Sequence, residues 1–273
     1  MPSLTLDTPR LAETYDVVSD RQYEHGKLLI DALKIRPGDR VLDIGCGTGR
    51  LGEYVAQNHV GAEGEVVGID PLAHRIELAR KRASPNHRAE VGVSDDLTAF
   101  ADASFDVVYL NSVYHWLPKK LPTLLEARRV LKPGGRIGIS VASLERPHDQ
   151  QLVLDETLRT LGISRPRGGG NTPHKVSAGQ LARQLEDGGF LVDEIRLRSF
   201  ADVFPDTDAV LAFNESSSFG NFLSEYPAEL RERAVAAYRA ALEKRRTPQG
   251  IVLHRRLLFA VATAGIAGAA VEA

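Results

Sequence analysis

The segment Val41-Leu42-Asp43-Ile44-Gly45-Cys46-Gly47-Thr48-Gly49 constrains this chain more than any other: an apolar run enters three alternating glycines and then a helical pattern. Strand, glycine turn and helix in that order begin a parallel α/β sheet, in which ligands sit beyond the carboxyl ends of the strands. Glycine permits positive φ and close approach of a ligand to the backbone. No Gly-Lys-Ser/Thr follows, which excludes a P-loop. The spacing also departs from the dinucleotide fingerprint, whose third glycine would fall at position 50, where Arg50 stands.

From residue 40 to residue 142, short β-branched runs alternate with longer apolar patterns of helical spacing. Strands are expected at 40–44, 65–69, 88–93, 105–110 and 136–141, with crossover helices at 51–59, 73–83 and 121–131. Further on, helices are expected at 149–161 and 178–186, the second ended by Gly188-Gly189, and two more strands at 190–200 and 252–262. The expected fold is an α/β Rossmann-like seven-stranded sheet with helices on both faces and a small helical cap. Its parts are an N-terminal helical lid at 1–36, the sheet domain at 37–205 and 247–264, the cap at 206–246 and a flexible tail at 265–273. The 206–246 segment suits a cap over the ligand site or an ordinary surface helical pair. A glycine-rich loop, Arg167-Gly168-Gly169-Gly170-Asn171, separates the helices at 149–161 and 178–186.

A second strand, Val66-Val67-Gly68-Ile69-Asp70, ends in an acid about twenty residues past the glycine loop, where this fold binds ribose hydroxyls. Asp70 equally suits capping of the helix after Pro71. Loop and acid together favour an adenosyl and amino-acid ligand without phosphates. These segments, with Leu131-Lys132-Pro133-Gly134-Gly135, resemble the motifs of class I S-adenosylmethionine methyltransferases over roughly residues 37–141. The later stretch from Phe204 to Phe259 is more loosely similar to trans-aconitate methyltransferase-like enzymes. The resemblance implies S-adenosylmethionine as cofactor, with Asp43, Gly45, Cys46 and Gly47 around its methionyl part, Asp70 and Pro71 at the ribose, and Asn111 at the methionyl end. Where that family often has Gly-Asp-Ala, this chain has Gly92-Val93-Ser94-Asp95-Asp96. Ser94 with Asp95 or Asp96 is thus the candidate adenine contact, and both acids equally suit a solvated loop. Cys46 suits a tight loop as a small residue rather than a nucleophile.

Asn111-Ser112-Val113-Tyr114-His115-Trp116 leaves the fourth strand where this fold places reacting groups. Tyr114 and Trp116 are expected to shape an acceptor pocket, joined by Tyr15 and Tyr23 from the lid and Phe213 from the cap. His115, with an ordinary pKa near ~6.5, is a candidate general base or a packed histidine. The reaction implied is in-line methyl transfer to an oxygen, nitrogen, sulfur or carbon atom of a small molecule, releasing S-adenosylhomocysteine. Alignment alone can supply ~7–11 kcal/mol, so only some acceptors need a base. The alternatives are an NAD(P)-dependent oxidoreductase and a cofactor-binding protein without turnover.

Lys and Arg number 34 against 36 Asp and Glu, which gives no electrostatic case for a nucleic-acid partner. No Asn/Asp-Pro-Pro-Tyr/Phe motif follows the fourth strand either. The single cysteine, Cys46, excludes an internal disulfide, a cysteine-rich zinc site and the several thiols used by arsenite-methylating enzymes; no metal is expected. The most apolar stretch, 257–271, is shorter than the ~20 residues that span a bilayer. Residues 1–16 show neither a basic leader nor an apolar core, so a cytoplasmic location is expected. No feature indicates an oligomeric state.

Overall fold

A computed structural model describes residues 8–164, 173–217 and 222–265. The expectations for Arg167–Asn171 and for the tail past residue 265 lie outside the described residues. In chain order the elements are α1 (Pro9–Val18), α2 (Asp20–Leu33), β1 (Arg40–Ile44), α3 (Arg50–Val55), β2 (Glu65–Asp70), α4 (Ala73–Arg80), β3 (His87–Val91), β4 (Phe105–Asn111), α5 (Lys120–Val130) and β5 (Leu131–Ala142). They continue as α6 (Asp149–Thr160), α7 (Ala178–Asp187), β6 (Phe190–Phe204), α8 (Thr207–Ser217), α9 (Ala228–Glu243), β7 (Arg246–Thr247) and β8 (Gly250–Ala264).

The strands lie in the order β3-β2-β1-β4-β5-β8-β6, with β7 paired to β8. The first five are parallel, and β8 runs antiparallel between β5 and β6. Seven long strands form the expected Rossmann-like sheet, and the two-residue β7 adds a short hairpin that no apolar run announces. Strand residues are apolar on both sides because helices cover both faces. Leu42, Ile44, Val108 and Leu110 pack with Leu124, Ala127, Leu181 and Leu185 of α5 and α7. Val41, Val107 and Tyr109 face the other way, against Leu29, Ile30 and Leu33 of α2 and Leu51 and Val55 of α3. A third cluster joins α6, α8 and α9 to Phe204, Ile251 and Leu253 of β6 and β8.

Several boundaries differ from expectation. The helix expected at 51–59 ends at Val55 and gives way to a π-turn at Ala56–Val60. β3 stops at Val91, which releases Gly92 and Val93 into the loop that borders the cavity. Leu131 is the first residue of β5 rather than the last of a helix, because it pairs with Phe105 of β4. α7 is closed by a capping box, Ser177 with Gln180, at its start and by Gly189 at φ 83° after its end, as its sequence signals require.

Candidate functional site

The carboxyl ends of β1, β2 and β4 border a cavity of about 910 Å³, near the top of the range for small-molecule sites. On its floor the glycine loop turns back over β2. Gly45, Gly47 and Gly49 all have positive φ (77°, 57° and 80°), and the Gly45 and Cys46 amides donate to the Ile69 carbonyl at 2.7 and 3.0 Å. A Cβ at Gly45 would stand 2.2 Å from a Val113 methyl, so only glycine lets the loop lie against the turn after β4. The Asp70 carboxylate accepts from the Gly47 amide at 3.0 Å and the Leu72 amide at 2.9 Å. These two bonds fix the carboxylate at the edge of the cavity that it lines.

Asp43 lies behind the loop, buried, and accepts from the Tyr109 hydroxyl at 2.7 Å. Burial pushes its carboxyl up to about 7; the Tyr109 hydrogen bond opposes the rise and the nearby Asp70 charge adds to it. On the next wall, Ser94 bonds to Thr123 at 2.9 Å, while Asp95 lines the cavity. Asp96 instead caps its own loop, accepting from the amide and hydroxyl of Thr98.

The N-terminal wall comes from α1. Asp16 accepts from the Thr48 hydroxyl at 2.6 Å and from Arg82 at 2.9 Å, which ties α1 to the glycine loop. Tyr15 then reaches the cavity beneath the guanidinium of Arg75, whose carbon lies 3.9 Å from the ring centre. Arg75 also donates to the Ser216 carbonyl, linking α4 to α8. Phe213 of α8 and Tyr238 of α9 complete that side. Opposite, His115 and Trp116 line the cavity from a single turn of 3₁₀-helix, their rings 5.1 Å apart. The His115 imidazole is pushed down to about 3 by burial, reinforced by His148, Lys175 and Lys120.

A family model described as a methyltransferase domain matches residues 35–189, more than half of the chain. The chain belongs to the class I S-adenosylmethionine-dependent methyltransferases. It is 32% identical over 219 residues to an arsenite methyltransferase of Aquipseudomonas alcaligenes, covering 69% of this chain and 62% of that one. It is 27% identical over 213 residues to a trans-aconitate 2-methyltransferase of Deinococcus radiodurans, covering 76% and 80% respectively. The alignments with two other curated relatives span about half of their lengths, 50% and 48%. The fold is shared with a geranyl diphosphate methyltransferase solved in complex with S-adenosylmethionine, at a TM-score of 0.54 and 17% identity over 89% of this chain and 85% of that one.

Within this methyltransferase fold, the residues singled out from sequence separate into three groups. Gly45, Asp70, Pro71, Ser94, Asp95, Asn111, His115, Trp116, Tyr15 and Phe213 border the cavity together. Asp43, Cys46 and Gly47 stand behind or beneath its surface. Cys46 turns its side chain toward Ile76, Ala79 and Ala89, and burial raises its thiol well above the usual range, leaving a neutral packing group. Tyr23 and Tyr114 require correction. Tyr23 packs edge-on against Tyr54, 6.1 Å away, under Arg50 on the outer side of α2. Tyr114 is fully buried and its hydroxyl donates to Gln184 of α7 at 2.9 Å, so it fixes the turn from behind rather than shaping the pocket.

Sequence reasoning gave no role to Tyr109, Ser112 or Arg255 and placed His25 only on the N-terminal lid segment. Tyr109 was findable, because parallel pairing of two apolar strands in register sets it beside Asp43. His25 and Arg255 lie 230 residues apart, and no local pattern relates them.

Proposed function

We propose that the protein transfers a methyl group from S-adenosylmethionine to a small-molecule acceptor. The observation that carries this reading is the convergence of the glycine loop, Asp70 and the turn after β4 on one large cavity whose far walls come from α1, α6 and α8. The glycines offer close backbone approach, and the Asp70 carboxylate borders the cavity where ribose hydroxyls would lie, so the residues present fit the cofactor. When bound, it supplies a methyl group already activated on a sulfonium.

The roles of the chain's own groups follow from their placement. Asp70 accepts from the ribose, and Ser94 and Asp95 face the adenine. Asp43 contributes negative charge beneath a cationic ligand. Tyr15 and Phe213 exclude water from above, α8 and α9 acting as a cap and α1 as a lid. His115, neutral and weakly basic, orients the acceptor by hydrogen bonding; a group whose conjugate acid titrates near 3 is a poor proton acceptor at neutral pH. The acceptor's own nucleophilic atom must then reach the site deprotonated or lose its proton to water.

Arsenite chemistry is not part of this proposal, because the chain has one thiol, half-buried against α4 and neutral. No helix among the described residues is long and apolar enough to cross a membrane. A cytoplasmic location belongs to the proposal, supported by a sequence with no cysteine pair to oxidise. The test is incubation with methyl-tritiated S-adenosylmethionine and a small-molecule library, with extraction of labelled product. Label transfer that disappears in Asp70→Asn supports the reading. Tight cofactor binding with no transfer to any compound class would favour a binding protein without turnover.

A further inference from the structure

β8 pairs with β5 only as far as Leu257, opposite Ala142, and residues 251–256 continue beyond that edge paired to β6. This two-stranded extension carries Arg255 over the cavity, which it lines while only 9% exposed. Its five N–H donors can be assigned. Nε and Nη2 bond to the two oxygens of Asp202 at 2.7 and 3.1 Å, and the second Nη2 hydrogen faces the Arg21 carbonyl at 3.4 Å. One Nη1 hydrogen goes to Nδ1 of His25. The fifth, also on Nη1, has no partner among the described residues.

A guanidinium has no acceptor, so His25 Nδ1 accepts and its proton resides on Nε2. Nε2 therefore donates toward the Ser112 hydroxyl, 3.0 Å away, with the Asn111 side chain as the ring's other polar neighbour. Among the described residues that hydroxyl has no other side-chain or backbone partner, so its own proton remains available to a group in the cavity that Ser112 lines. Ser112 is held in place at φ 61°, a conformation costly for a non-glycine residue, with its amide bonded to the Ser140 hydroxyl at 2.9 Å. Charge accompanies this directed relay. Asp202 is shared between Arg255 and Arg21, the latter at 3.8 Å, so two cations face one carboxylate. His25 is neutral, its pKa driven well down by burial and by the Arg255 charge, which also helps depress His148 on the same cavity. Asp70, Asp95 and Glu225 are the acids that line the same cavity.

We propose that Arg255 Nη1 and the Ser112 hydroxyl, oriented through His25, form a recognition point for a carboxylate group of the methyl acceptor. The proposal rests on the methyltransferase reading and names its substrate class. β8 lies three strands from β1, about 14 Å across the sheet at strand spacing, while Ser112 follows β4, the neighbour of β1, so Arg255 reaches in from the acceptor side toward the turn beside the glycine loop.

The test titrates the full-length protein, with and without S-adenosylhomocysteine, with benzoate, cinnamate, succinate and citrate and with the matched amides. Benzoate and cinnamate represent aromatic acids, succinate and citrate aliphatic ones. At least one acid should bind ten-fold or more tightly than its amide, as expected for hydrogen bonds to a charged group. Ser112→Gly, which keeps the backbone conformation and removes the hydroxyl, should weaken that acid about ten-fold and leave S-adenosylhomocysteine affinity unchanged. Arg255→Lys should abolish the preference; if it fails to fold, Ser112→Gly alone decides. Equal binding of acids and amides, no binding of any acid, or acid binding unaffected by Ser112→Gly would overturn the proposal. So would a matching loss of S-adenosylhomocysteine affinity, which would assign the point to the cofactor's own carboxylate. Failure of S-adenosylhomocysteine to bind the wild-type protein would instead refute the methyltransferase reading, and the acid titrations without cofactor are read separately.

Discussion

Asp43→Asn should make the protein more stable at alkaline pH and bind its cofactor less well. Asp43 titrates at about 7 in the folded protein against 3.8 for the ordinary group, and burial is the largest cause. A carboxyl whose pKa is raised by folding stabilises the folded state, relative to higher pH, below the unfolded value. That contribution is lost as pH rises from about 4 to 7. Each unit corresponds to ~1.4 kcal/mol, so above pH 7 the buried carboxylate costs roughly 4 kcal/mol, and at pH 5 less than half of that. Asparagine still accepts from Tyr109 but carries an unbonded amide group, a penalty of ~1–3 kcal/mol that does not vary with pH. Comparing pH 5 with pH 8 cancels it. The melting temperature of Asp43→Asn relative to wild type should therefore rise by roughly 5 °C or more between the two pH values. Scanning calorimetry across that range measures the difference. A constant offset at every pH, or a relative loss at pH 8, would refute the assignment of a raised pKa. Cofactor affinity should fall about ten-fold at pH 8 in the same variant, because a negative charge beneath a cationic ligand is gone.

Other consequences are equally concrete. Gly45→Ala should destabilise by about 2–4 kcal/mol in urea unfolding, from positive φ and overlap with Val113; adding Val113→Ala should recover only the overlap share. His115→Gln should leave the pH–rate profile between pH 6 and 9 unchanged in shape, whereas loss of an acid limb near 6.5 would restore a general base. Binding of S-adenosylhomocysteine should slow amide exchange in α1, and Asp16→Ala, which severs the ties to Thr48 and Arg82, should remove most of that protection.

The fold was legible because strand, glycine turn and crossover helix leave local signatures. Every long strand was located, though β5 begins five residues before its expected start, and the acid at the end of β2 borders the cavity. Boundaries were less legible where tertiary pairing decides them: Leu131 continues a helical pattern yet pairs with Phe105. Tyr114 and Trp116 are two residues apart on one turn, and only the packing of α7 sends the first into the core while the second borders the cavity. The least legible part was the network of His25, Ser112, Asp202 and Arg255. It joins α2, β4, β6 and β8, and no periodicity encodes contacts between them.

The most direct test of the account is calorimetric titration of the purified protein with S-adenosylmethionine, S-adenosylhomocysteine and NADH, beside Asp70→Asn. Asparagine keeps one acceptor for the Gly47 and Leu72 amides, so it perturbs the loop less than alanine. Both adenosyl ligands should bind, Asp70→Asn should weaken them tens-fold, and NADH should give no heat of binding. Tight NADH binding, or adenosyl binding indifferent to Asp70, would contradict it.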